Sequence, residues 1–158
     1  SEAFQSCPDE ASCVALIDEA RRAGSFEVVA CDQQAQVAEA VKQTVQGLLE
    51  EELRPADISV LSLRGKAASD SALSLVREHM DAVDADHPAA ARKLVADTFL
   101  RFKGLERPAV VITDMGLVTD QRAVRFHIAM TRACMTVRLV TTREALASDP
   151  LLRHALPS

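Results

Sequence analysis

Five short apolar runs alternate with stretches of helical period, and that alternation leaves the chain few ways to fold. The runs are Phe26-Glu27-Val28-Val29-Ala30-Cys31, residues 57–63, residues 94–98, the segment after Pro108 containing Ala109-Val110-Val111-Ile112, and residues 135–141. Several of them are apolar at consecutive positions, which a strand needs only when both its faces are covered. Strands of that kind separated by helices predict an α/β fold: a mostly parallel sheet of five or slightly more strands, with helices on both faces and right-handed crossovers.

The helices read as follows. Asp9 or Ser12 caps a helix carrying Val14, Leu16, Ile17 and Ala20, with Gly24 as its stop. Asp32 opens a long helix with the stripe Val37, Val41, Val45, Leu48, Leu49 and Leu53, closed by Pro55. Ser69 or Ser71 caps a third, with Leu73, Val76, Met80 and Val83 on one side. Residues 81–88 are a polar loop, and residues 100–105 a short helical turn. A fourth helix starts at Thr119 or Asp120 and runs through Arg132, and a last short one starts near Arg143. Residues 1–25 form an N-terminal extension with a helix, and residues 26–158 form one domain.

Composition narrows the function. With five Phe and no Trp or Tyr, an aromatic stacking platform for nucleic acid is not expected. A net charge of −5 argues against coating DNA by bulk charge, and leaves room for a local basic track. Cys7, Cys13, Cys31 and Cys134 lack C-x-x-C spacing, so a zinc site is not expected. Cys31 and Cys134, beside strands, read as small core residues with reduced thiols. No apolar run approaches membrane-spanning length and no signal sequence opens the chain, so no membrane partner and a cytoplasmic location are expected.

Three stretches carry chemistry. Arg64-Gly65-Lys66 follows a strand but is not a P-loop, which needs G-x-x-x-x-G-K-[ST]; here Ala67 follows Lys66. The chain alone therefore lacks a phosphate cradle and is expected to have no ATPase activity. On the fourth helix, Arg122, Arg125, Ala129 and Arg132 step by three, four and three, an exposed arginine side opposite Phe126, Met130 and Ala133. His127 leans toward the buried side. Finally, Lys103-Gly104-Leu105-Glu106 offers a cation for phosphate, a glycine for close approach and an acid for sugar hydroxyls.

These stretches resemble a known family. Thr98-Phe99-Leu100-Arg101-Phe102-Lys103-Gly104-Leu105-Glu106 resembles motif V of UvrD/Rep-like superfamily 1 helicases, T-x-x-x-x-K-G-L-E. Ile128-Ala129-Met130-Thr131-Arg132-Ala133 is similar to their motif VI, V-A-L-T-R-A. Residues 57–64 are similar to the strand leading into motif IV. Leu100 stands where the family often has histidine, Leu63 where an aromatic often precedes the motif IV arginine, and His127 where tyrosine is usual. The resemblance covers about residues 26–142.

It implies a RecA-like three-layer fold and the C-terminal motor domain of an ATP-dependent DNA helicase, an ATP hydrolase. The cofactor implied is ATP with Mg, held mainly by an N-terminal RecA-like domain of the same parent chain. The implied partners are that domain and single-stranded DNA, with RNA as the alternative strand. Arg132 resembles the arginine finger, and Arg64 a second arginine near the phosphates. Gly104 and Glu106 resemble ATP-contacting positions, with the acid on the ribose. Thr98, Arg101 and Lys103 resemble the edge beside the single strand. Arg64, Lys103, Glu106 and Arg132 are expected along one edge of the domain, at strand C-terminal ends or on the helix facing them. The alternative is a freestanding, degenerate helicase-like module that binds nucleic acid or protein.

Overall fold

The computed structural model describes residues 10–65, 71–101, 106–118, 122–149 and 152–153. Among these residues, five helices, α1 (Glu10–Arg22), α2 (Val37–Glu50), α3 (Ala72–His79), α4 (Arg122–Met130) and α5 (Arg143–Ala147), flank the strands β1 (Phe26–Cys31), β2 (Ile58–Ser62), β3 (Val95–Thr98), β4 (Arg107–Thr113) and β5 (Ala133–Thr142). The five strands form one sheet in the order β1-β5-β4-β2-β3, and every pairing is parallel. The chain is thus a three-layer α/β domain, consistent with a RecA-like fold.

Topology decides which helix covers which face. The crossovers from β1 to β2 and from β2 to β3 move one way along the sheet, and that from β4 to β5 moves back. A uniform hand sends the first two to one face and the last to the other. Accordingly Val37, Val41, Val45 and Leu48 of α2 and Leu73 and Val76 of α3 share one core with Val60, Ala96 and Val111. Phe126, Ala129 and Met130 of α4 and Ala145 and Leu146 of α5 share the other with Leu61, Val110, Ile112 and Leu139. Ile17 of α1 belongs to this second core, and Phe26 meets Phe126 edge-on with ring centroids 6.1 Å apart. The N-terminal helix is therefore packed into the domain.

Three local readings are corrected. Helix α2 begins only at Val37, after a 3-10 turn over Gln34–Gln36, and ends at Glu50 rather than at Pro55. Glu52 then takes φ 72°, a left-handed stop made without glycine. Helix α4 is shorter than its sequence pattern, because Ala133 already pairs with Arg107 as the first residue of β5. Cys31 is buried as expected, but Cys134 is exposed at the start of β5.

Candidate functional site

Strands β2 and β4 are neighbours whose outgoing connections leave to opposite faces. Their C-terminal ends therefore open a crevice, the position where α/β sheets place ligands. Asp114, the residue after β4, sits there with φ 68° and is 1% exposed. Its carboxylate accepts hydrogen bonds from Ser62 Oγ, from Ser71 Oγ at 2.5 Å and from the Ala72 backbone N–H at 3.1 Å. Ser71 Oγ in turn accepts from Leu73 N–H, capping α3. An anion of the protein's own thus sits at the α3 N-terminus, where a bound phosphate would otherwise be favoured. This agrees with Arg64-Gly65-Lys66 not being a P-loop.

Arg64, half-buried, lies two residues beyond β2, and its N–H donates to Ser62 Oγ at 3.1 Å. Arg125 of α4 reaches the same loop: Nη1 donates to Leu63 O at 2.9 Å, and the guanidinium lies 5.6 Å from the Phe99 ring centroid. The expected exposed side of this helix is corrected accordingly, since Arg125 is partly buried and Ala129 is fully buried. The side chain of Arg122 lies outside the described residues.

At the end of β3, Thr98 is 1% exposed, and its hydroxyl finds no partner among the described residues. Ser62 pairs in register with both Thr98 and Thr113, so three hydroxyls line one row across the strand ends. Arg101 pairs with Asp86 and lies 3.6 Å from Asp97, so its charge already has acidic neighbours. Asp97, 0% exposed, is held from the other side by Arg77 at 3.6 Å. Lys103 and Gly104 lie outside the described residues.

Glu106 and Arg132 stand at adjacent strand starts, at the other end of the sheet. Each directly precedes a strand start, and Arg107 pairs in register with Ala133. Arg107 N–H donates to Arg132 O at 3.0 Å. Glu106 is exposed and accepts from Cys134 Sγ at 3.5 Å. Burial and the adjacent Glu106 carboxylate push the Cys134 thiol pKa up, keeping it a donor. Arg132 is half-buried, and its Nε has no partner among the described residues.

The expectation of one shared edge is therefore corrected. Arg64, Thr98 and Arg101 lie where strands end, while Glu106 and Arg132 lie where strands begin. The cause is topological. Because β3 and β4 are parallel, the connection from Thr98 to Glu106 must return the length of the sheet, roughly 20 Å for a seven-residue strand. Helix α4 returns likewise, which places Arg132, beyond its C-terminus, at the strand-start end.

Sequence reading missed two residues. Asp114 had a faint signal, an aspartate directly after an apolar strand, a type that tolerates left-handed backbone. Arg107 had none. A second crevice opens at the ends of β1 and β5, a pocket of ≈ 460 Å³ lined in part by Asp32, Gln34, Gly116, Thr142 and Glu144. Its two carboxylates disfavour a phosphate-bearing ligand. Among the described residues, no cluster of three or more metal-ligating side chains is present and no helix is long and apolar enough to cross a membrane. The chain matches no protein-family model and no curated protein.

Proposed function

We propose that this chain is the C-terminal motor domain of an ATP-dependent DNA helicase or translocase, contributing an arginine finger to a nucleotide held by a partner domain. The observation that carries the reading is that Glu106 and Arg132 directly precede the adjacent, hydrogen-bonded starts of β4 and β5. The parallel register puts the two residues at neighbouring backbone positions, Glu106 exposed and Arg132 half-buried. An acid for a ribose next to a cation for developing phosphate charge is what a half-site for phosphoryl transfer requires. Mg and the phosphate cradle belong to the partner domain on this reading. Arg64, at the opposite end, belongs with the strand-side residues rather than with Arg132 at the phosphates.

The test is single-turnover hydrolysis at saturating ATP and single-stranded DNA, in the protein that joins this domain to its nucleotide-holding partner. Arg132→Ala should cut the rate by about 10³–10⁵ with folding unchanged. Arg132→Lys should rescue little, because an ammonium lacks the planar fork. The control is Arg92→Ala, exposed on a turn. Near-normal turnover by Arg132→Ala would remove the finger from the reading. ATP hydrolysis by the 158-residue chain alone would remove the half-site.

A further inference from the structure

Arg64 follows the end of β2 at Ser62, and Ser71 caps α3. Both serine hydroxyls donate to one oxygen, Asp114 Oδ2, and the other oxygen takes the Ala72 N–H. A single carboxylate thus ties the end of β2 to the start of α3. We propose that Asp114 is the positioning residue for Arg64, acting through Ser62. The inference rests on the reading of Arg64 as a cation facing the backbone phosphates of the single strand, at the end of the sheet opposite Arg132.

Each link follows from geometry. The Ser62 proton is committed to Asp114, so a lone pair of Ser62 Oγ is left to receive the Arg64 N–H at 3.1 Å. The preceding residue is fixed as well: Leu63 N–H donates to Thr113 O at 3.1 Å, and Leu63 O accepts from Arg125 at 2.9 Å. Arg64 therefore leaves from a defined backbone. Helix α3 is anchored as well by Ala72, Leu73 and Val76. Asp114 is held at φ 68°, where glycine would be less strained. Strain kept at a ligand crevice, on a carboxylate whose bonds go to Ser62, Ser71 and Ala72, points to positioning.

Two measurements on the 158-residue chain test this. The first is amide hydrogen exchange, residue by residue. Asp114→Gly, which suits the left-handed backbone, should lower protection at Arg64 and Ala72 at least tenfold and leave Val111 and Leu139 unchanged. Ser62→Ala should lower protection at Arg64 only. Unchanged exchange at Arg64 in Asp114→Gly overturns the proposal, whatever Ser62→Ala does. The second is binding to a labelled oligothymidylate at several low salt concentrations. Removing a negative charge should by itself tighten binding, whereas loss of positioning should loosen it about as much as Arg64→Ala does. The double variant should be no weaker than Arg64→Ala alone. Tighter binding by Asp114→Gly, or additive losses in the double variant, overturns the proposal. If Arg64→Ala leaves binding and its salt dependence unchanged, the phosphate-facing reading of Arg64 fails and the proposal falls with it, even where exchange shows the loop held.

Discussion

Arg107 offers the sharpest test of how the sheet is held together. It opens β4 and is 7% exposed. Its guanidinium donates to Ile58 O at 2.9 Å, Lys93 O at 2.7 Å, Pro55 O at 3.5 Å and also to Ala90 O. Those carbonyls belong to the entries of β2 and β3, so one side chain ties the starts of three neighbouring strands. Burial pushes the Arg107 pKa down while nearby Asp57 pulls it up, so the charge itself is held at a cost. Arg107→Met keeps volume and removes that cost, but leaves three close carbonyls without their donor. At roughly 1–3 kcal/mol per unsatisfied buried group, offset by water entering from the sheet end and by relief of the buried charge, the net loss should be about 2–4 kcal/mol. Arg107→Lys can serve fewer carbonyls and should lose about 1–2 kcal/mol. Urea unfolding is the assay. With a slope of about 2 kcal/mol per M, the methionine variant's midpoint should fall by roughly 1–2 M. A methionine variant within about 0.5 kcal/mol of wild type would refute the reasoning, since it would mean the desolvation cost cancels the carbonyl bonds.

Two further changes should be measurable. Gly47 lies inside α2 with nothing within 4 Å of where a Cβ would stand, so Gly47→Ala should stabilise by about 0.5–1 kcal/mol and raise Tm by roughly 2–3 °C. A lower Tm in calorimetry would show the helix is under another constraint. His127 is partly buried, and burial pushes its pKa down. The unfolded chain then binds the extra proton first, so stability is full above about pH 6.5 and declines as pH falls from there toward the lower folded value. His127→Gln should flatten that part of the Tm-versus-pH curve, and an unchanged curve would sink the assignment.

The parts of the fold legible in the sequence are those that periodicity records. Ala109-Val110-Val111-Ile112 is apolar at every position because both faces of β4 are covered, and Val37, Val41 and Val45 repeat because one side of α2 is buried. Such patterns say which face a residue serves. They do not say at which end of the sheet it sits, and the misreading of the site arose there. Thr98 and Glu106 are eight positions apart and read as one short motif, yet one ends a strand and the other directly precedes the next. A motif spanning a strand–connection–strand unit in a parallel sheet must split between the two ends, because the connection returns the chain to the starting side. The same argument explains why Asp114 and Arg107 were not found. Each acts on segments far away in sequence: Asp114 on Ser62 and Ser71, and Arg107 on residues 55–58 and 90–93. What joins the two ends is β4 itself, which starts beside Glu106 and ends at Asp114, with hydrogen-bonded neighbours on both sides. The residues read as nucleotide-facing and the loop that carries Arg64 are thus separated by one rigid strand rather than by flexible chain.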